Sequence, residues 1–144
     1  MIAETMVPLN SSTARLGLSI SVTSVEALTR TQIVQYAGAS GDFNPLHTDE
    51  PYAVEQGGFS RPVAHGMLTM GVAGRAITDW VGQERLSAFG VRFLAPVFPG
   101  DRLTTSLTIS ALEHADSGLI LTLDIETTSE RGPVIRGSAT ATID

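Results

Sequence analysis

Apolar and polar residues alternate along much of the second half of the chain, which is the pattern of strands with one buried face. In the clearest run, Leu103, Leu107 and Ile109 fall on one face, and the threonines and serines at the even positions fall on the other. Glycine-containing turn sequences at residues 116–118 and 131–132 divide the pattern into hairpins. We expect strands over residues 85–95, 103–111, 119–125 and 134–143, and an earlier strand over residues 16–22.

The first half of the chain carries helix signals instead. Thr29 and Gln32 have the spacing of a capping box, and apolar residues follow at helical spacing, which predicts a helix ending near Gly41. Residues 41–47 contain a glycine, a proline and two strong turn formers, so we expect an irregular but ordered loop. Asp49, with a proline two residues later, predicts the start of a second short helix.

A longer apolar segment follows a glycine-rich loop at residues 57–62. Small and apolar residues surround the helix axis on every side between residues 65 and 81, which predicts a buried helix with Gly82 as its stop. A long buried helix followed by alternating strands indicates an α+β domain in which a bent antiparallel sheet wraps the helix. With 144 residues, the chain has the length of one domain, residues 1–144.

The amino-acid composition argues against several classes of function. The chain has a formal net charge of −6, with nine arginines and no lysine, which argues against a nucleic-acid partner and excludes a Schiff-base lysine. The absence of cysteine excludes disulfides and thiolate chemistry. The sequence contains no apolar run long enough to cross a membrane, so we expect no membrane partner. Residues 1–10 lack the basic flank and apolar run of a signal peptide, and we therefore expect a cytoplasmic protein.

Two short strings contain the residue types that general acid–base chemistry needs. Asp42-Phe43-Asn44-Pro45-Leu46-His47 places a carboxylate and an imidazole five residues apart, and Ala64-His65-Gly66-Met67 follows at the start of the long helix. A histidine by itself is more often structural than catalytic. The spacing of these acidic and histidine residues fits no recognised zinc pattern, so we expect no metal site.

Together the two strings resemble the hydratase signature of MaoC-like proteins, and the resemblance extends from about Thr29 to Ile143. It implies a hot-dog fold and the reversible hydration of 2-enoyl thioesters to (R)-3-hydroxyacyl thioesters. The resemblance assigns Asp42 and His47 to the acid–base pair, without saying which is the base. Gly66, in the first turn of a helix, is then the oxyanion and substrate-binding position. Asn44 and Pro45 support the loop.

The resemblance also has implications for partners. Many family members carry a serine eight residues after the glycine of the His-Gly pair, and this chain has Gly74 there. The string from Ala64 to Gly71 is similar to the catalytic subunit of the mycobacterial-type 3-hydroxyacyl-carrier-protein dehydratase, which works beside a partner subunit. We expect a homodimer, or a heterodimer with a second hot-dog subunit, because one sheet cannot fully cover the helix. We expect no resident cofactor, and a substrate carried by coenzyme A or by acyl carrier protein.

Two other functions fit parts of the same pattern. A hot-dog thioesterase would share the fold and the thioester but would direct water at C1, and a thioester-binding subunit would lack the acid–base residues. Aromatic and apolar residues near the helix could line an acyl tunnel, although such residues are more often core: Tyr36, Phe43, Phe59, Val63 and Met67. Arginines with no assigned role could meet the phosphates of coenzyme A: Arg75, Arg92 and Arg102. His65 is expected to be a helix-start or packing residue, and His114 to be solvated.

Overall fold

The protein is represented by a computed structural model that describes residues 6–144. Its helices are α1 (Arg30–Ser40), α2 (Glu50–Glu55) and α3 (Gly66–Val81), and its strands are β1 (Ser19–Val25), β2 (Leu86–Phe93), β3 (Leu103–Ala115), β4 (Gly118–Ser129) and β5 (Gly132–Ile143). Short 3₁₀ turns occur at Pro45–His47 and Gln83–Arg85. No helix in the described residues is long and apolar enough to span a membrane.

The five strands form one antiparallel sheet in the order β1-β3-β4-β5-β2. Consecutive hairpins join β3, β4 and β5, and β2 pairs with β5 from Leu86 opposite Ala141 to Phe93 opposite Ile135. The two edge strands are therefore β1 and β2. The end of β2 lies beside the start of α3, because Phe93 packs against the backbone of Gly66.

The long helix packs on the inner face of this sheet. Ile77 and Trp80 of α3 are buried in one apolar cluster with Leu107, Leu121 and Leu123, which lie on adjacent strands. Each such side chain contributes about 1.5–3 kcal/mol when it is removed from water. This arrangement confirms the expected hot-dog fold, in which a bent antiparallel sheet wraps a long helix.

Two details of the sequence prediction were wrong. The first strand spans Ser19–Val25 rather than residues 16–22, because residues 15–18 form a turn in which Leu18 N–H donates to Arg15 O. The long helix is buried on one side only, and the exposed side carries Met67 and Arg75. Glycines and a methionine made that side look apolar, although they do not require burial.

Candidate active site

The loop that carries the first string begins where α1 ends. Gly41 caps the helix with φ of 76°, a left-handed conformation that glycine adopts without a Cβ penalty. The side chain of Asn44 accepts a hydrogen bond from Leu46 N–H at 3.0 Å, and Pro45 occupies the first position of the 3₁₀ turn that ends at His47. These contacts give the loop one defined conformation and bring its two ionisable ends together.

The carboxylate of Asp42 and the imidazole of His47 face each other across the loop. His47 Nε2 lies 3.7 Å from Asp42 Oδ2, a separation at which one water molecule can be within hydrogen-bonding distance of both. His47 Nδ1 lies 2.8 Å from Val63 O, and since a carbonyl only accepts, the proton of the neutral ring is on Nδ1. The lone pair of Nε2 is thereby directed toward Asp42. The side chain of His47 is 12% exposed, whereas that of Asp42 is 53% exposed.

His65 connects this loop to the long helix. It is buried, and its Nε2–H donates to Asp42 O at 3.0 Å. Its ring stacks on His47, with the ring centroids 3.7 Å apart and the planes inclined by 24°. His65 precedes α3, as expected, but it also contacts both members of the predicted pair. Its Nδ1 is buried without a hydrogen-bond partner in the described residues.

One ligand atom from each of Asp42, His47 and His65 lies within 4.8 Å of the others, a spacing that is close enough for three metal ligands. An imidazole binds a metal through a lone pair in the plane of its ring. Two rings stacked nearly face to face direct those lone pairs along nearly parallel planes rather than at one ion. One nitrogen of each ring is also occupied by a carbonyl oxygen. This geometry does not fit a metal ion.

A cavity of about 410 Å³ opens beside the pair. Its walls come from the loop after α1, the segment between α2 and α3, the start of α3, the end of β2 with the segment after it, and one residue of β5. They are mostly apolar: Leu46, His47, Phe59, Val63, Ala64, Gly66, Thr69, Phe93, Leu94, Ala95, Pro96, Val97 and Ile135. His47 and Gly66 therefore line one space. Asp42 does not line the cavity, and its half-exposed carboxylate lies outside the wall.

Gly66 is the first residue of α3, and no acceptor within residues 6–144 takes its backbone N–H. The first N–H groups of a helix carry partial positive charge and bind anions. A Cβ at this position would lie 3.2 Å from Cε1 of Phe93, closer than most side-chain contacts. Glycine thus allows Phe93 to pack against the helix start while the N–H remains available to the cavity.

The segment after β2 is held by a buried carboxylate. Asp101 accepts hydrogen bonds from Phe98 N–H at 2.9 Å and from Arg131 Nη1 at 2.8 Å, and a second bond joins Arg131 Nη2 to its other oxygen. Burial raises the pKa of Asp101, but these hydrogen bonds and the charges of Arg131 and Arg61 outweigh it, so the pKa is lower than the ordinary 3.8. The bond to Asp101 raises the pKa of Arg131.

The other residues considered for an acyl tunnel differ in whether they line the cavity. Phe59 and Val63 line the cavity, whereas Phe43 and Met67 are exposed, and neither lines the cavity. The ring of Tyr36 lies 4.9 Å from that of His65.

Among the arginines, Arg75 pairs with Asp79 and Arg102 with Glu26. Arg92 and His114 are exposed. At Gly74, where the family resemblance leads to the expectation of a serine in many members, a Cβ would lie 3.2 Å from Cε1 of Phe89. Sequence reasoning gave no role to Arg61, which lies beside the cavity wall.

Comparisons with known proteins identify the family and the fold of the chain. The family model described as MaoC-like domain matches residues 12–129. The chain is 45% identical over 69 residues to 3-hydroxyacyl-thioester dehydratase Y of Mycobacterium tuberculosis, covering 46% of this chain and 24% of that protein. It is 41% identical over 76 residues to the peroxisomal enoyl-CoA hydratase 2 of Arabidopsis thaliana, covering 51% of this chain and 24% of that protein. The chain thus spans about a quarter of the length of these curated relatives.

A solved structure covers more of the chain. The unliganded R-hydratase of Pseudomonas aeruginosa superimposes with a TM-score of 0.80 at 25% identity, covering 95% of this chain and 88% of that one.

Proposed function

The chain belongs to the MaoC-like domain family, and from that premise we propose that it catalyses the reversible addition of water to 2-enoyl thioesters, giving (R)-3-hydroxyacyl thioesters. The observation that carries the proposal is the pair formed by Asp42 and His47, in which His47 Nε2 lies 3.7 Å from Asp42 Oδ2, beside a cavity that His47 and Gly66 both line. Relatives named as an enoyl-CoA hydratase and an R-hydratase support the activity and its stereochemistry.

The reaction needs two proton transfers around one water molecule. In hydration, the water oxygen bonds to C3, the water gives up a proton to one member of the pair, and the other member delivers a proton to C2. His47 can take part through Nε2 because Val63 O holds the proton of the neutral ring on Nδ1. Asp42 supplies the second proton position. No electrons are transferred, so the two side chains can do this chemistry without a resident cofactor.

The thioester carbonyl gathers negative charge as C3 is attacked. We place its oxygen against the backbone N–H of Gly66, where the start of α3 supplies a donor and the positive end of the helix dipole. The apolar walls formed by Phe59, Val63 and Val97 accommodate the acyl chain in this arrangement.

The proposed activity is tested by adding the purified chain to crotonyl-CoA and to a longer enoyl-CoA. We expect loss of the enoyl absorbance and formation of the (R)-3-hydroxyacyl product, identified by chiral chromatography. Thiol release is measured in the same reaction, because a thioesterase would liberate free coenzyme A. Thiol release without hydroxyacyl product would contradict the hydratase, and binding without turnover would favour a thioester-binding subunit.

The assembly is proposed to be a dimer, either of two copies or with a second hot-dog subunit, formed through a sheet edge near the site. Edge strand β2 carries Phe93, which is 50% exposed, and Leu94 follows at 45%. An apolar edge with unpaired backbone groups is a ready surface for another strand. Light scattering at micromolar concentration is expected to give twice the chain mass, whereas a fully active monomer would refute this assembly.

Coenzyme A is favoured over acyl carrier protein as the substrate carrier. Carrier proteins are usually acidic and this chain has a net charge of −6, so like-signed surfaces slow their encounter. Comparing kcat/KM for matched enoyl-CoA and enoyl-carrier-protein substrates decides the point, and a large preference for the carrier protein would reverse it.

The cytoplasmic location expected from residues 1–10 stays a prediction, and residues 1–5 lie outside those described.

A further inference from the structure

Arg61 is held beside the cavity by an aromatic ring. It lies between Phe59 and Val63, two residues that line the cavity wall. Its guanidinium carbon is 5.1 Å from the centroid of the Phe98 ring, and that ring meets Phe59 edge to face with centroids 6.5 Å apart. The Arg61 guanidinium is therefore adjacent to an aromatic pair, Phe98 and Phe59, of which Phe59 lines the cavity.

Arg61 makes no direct ion pair within the described residues, although its charge helps to lower the pKa of the nearby Asp101 carboxyl. Arg131 contacts the same Phe98 ring at 5.0 Å, but it is bonded to the buried carboxylate of Asp101. Within the described part of the chain, no carboxylate lies within ion-pairing distance of Arg61. Most other arginines pair with an acidic residue: Arg30, Arg75, Arg85, Arg102, Arg131 and Arg136.

Two further arginines have no ion pair among the described residues, Arg15 and Arg92. Arg92 lies on β2 next to Phe93, and because successive side chains of a strand point to opposite faces, it lies away from the cavity that Phe93 lines. Arg15 lies before β1 and does not line the cavity. Arg61 is thus the unpaired cation among the residues that flank the cavity wall.

Stacking suits this arginine to an anionic ligand. A guanidinium whose face rests on an aromatic ring is held in place but keeps the N–H groups at its edge free. That edge matches the oxygens of a phosphate, which it binds with two charge-assisted hydrogen bonds. Because the protein as a whole is acidic, phosphate needs such a local cation to be held at this surface.

We propose that Arg61, seated on Phe98, binds the phosphate of a 4′-phosphopantetheine arm while the thioester at the end of that arm lies between His47 and Gly66. The proposal rests on the proposed function, since it takes a thioester as the ligand of the cavity. The 4′-phosphopantetheine arm is the group that coenzyme A and acyl carrier proteins share. Arg61 and Gly66 are five positions apart in the chain, so their Cα atoms are at most about 18 Å apart, a span that an extended pantetheine arm can cover.

The test measures binding directly by titration calorimetry on the intact protein. Free coenzyme A and pantetheine, which lacks the phosphate, are the two probes. We expect Arg61→Gln to weaken coenzyme A binding by about 10–100-fold and to leave pantetheine binding unchanged. Arg15→Gln is the matched control, because it removes the charge of another exposed arginine without an ion pair among the described residues, at a position that does not line the cavity, and it should change neither titration. Equal coenzyme A affinity in Arg61→Gln and the parent, or an equal loss for both probes, would overturn the proposal.

Kinetics then separate the two sources of the phosphate. Arg61→Gln is expected to raise KM for enoyl-CoA and for the matched enoyl-carrier-protein, with kcat little changed and with no effect on an enoyl-N-acetylcysteamine thioester. An effect on enoyl-CoA alone would overturn the shared-phosphate proposal, because it would place Arg61 at a phosphate that only coenzyme A has. Calorimetry needs no turnover, so a chain that binds coenzyme A through Arg61 but hydrates nothing would refute the activity and leave this site standing.

Discussion

Replacing Gly66 by proline removes one backbone N–H from the first turn of α3, at the helix position that tolerates proline best. Proline also restricts the residue before it to extended conformations, and His65 already has φ −59° and ψ 135°. No described acceptor uses the lost N–H, so the helix gives up no internal hydrogen bond. The substitution therefore changes the proposed oxyanion donor more than it changes the fold.

The size of the effect follows from what that donor does in the transition state. Removing one oxyanion donor typically lowers kcat by about 10²–10³, or roughly 2.7–4 kcal/mol. The proline ring also adds a Cβ, which would lie 3.2 Å from Cε1 of Phe93. Phe93 is half exposed and can move by the few tenths of an ångström that this contact requires. The steric conflict with Phe93 should thus be small beside the loss of the donor.

Gly66→Ala is the matched control, because alanine adds the same Cβ but keeps the N–H. We expect near-parental kcat for Gly66→Ala and a kcat about 10²–10³ lower for Gly66→Pro, with similar melting temperatures for both. Initial rates of enoyl-CoA hydration at saturating substrate give the comparison, and circular dichroism checks the fold. If the two folded variants lost turnover equally, crowding of Phe93 would be the cause and the oxyanion role of Gly66 would be wrong.

Two further predictions concern side chains that hold the segments around the cavity, namely Arg131 and His65. Arg131→Gln leaves the carboxylate of Asp101 buried without its cation and is expected to cost on the order of 2 kcal/mol of unfolding free energy at neutral pH. Because the pKa of Asp101 is lowered by folding, this stabilisation is complete above its ordinary pKa of 3.8 and is lost as pH falls through the lower folded value. Denaturant unfolding of parent and variant at several pH values should therefore converge in acid, and a difference that persists or grows there would refute the role of the ion pair. His65→Phe keeps a ring against His47 but removes the donor to Asp42 O, and we expect kcat to fall by about 10-fold with KM little changed. Unchanged turnover would show that this hydrogen bond does not position the loop.

Local signals in the sequence predicted the elements that are held by local contacts. The capping box at Thr29 forms, with both Thr29 and Gln32 accepting backbone hydrogen bonds, and Gly41 ends the helix. The alternating runs after residue 100 became β3, β4 and β5, because a strand with one buried face has that pattern wherever it pairs. Asp42 and His47 share one short loop, so their proximity was also accessible from the sequence.

Contacts between distant parts of the chain were not accessible in this way. His65 contacts Asp42 O, which is 23 positions away in the chain, and Arg61 stacks on Phe98, which is 37 positions away. The first contact depends on how the start of α3 meets the loop after α1, and the second on how the segment before α3 meets the segment after β2. The exposed side of α3 was misjudged for a different reason, since glycine occurs both in a core and at a surface and a single methionine can be exposed.

The most direct test of the account is the coupling between Asp42 and His47. Asp42→Asn removes the charge but keeps an oxygen for Asn44 N–H, and His47→Asn can keep a donor to Val63 O while removing the atom that faces Asp42. We expect each variant to lower kcat for enoyl-CoA hydration by about 10²–10⁴, with the double variant little worse than either single one, because both act on the same transition state. Near-parental turnover in either folded single variant, or losses that simply multiply in the double variant, would contradict the proposed mechanism.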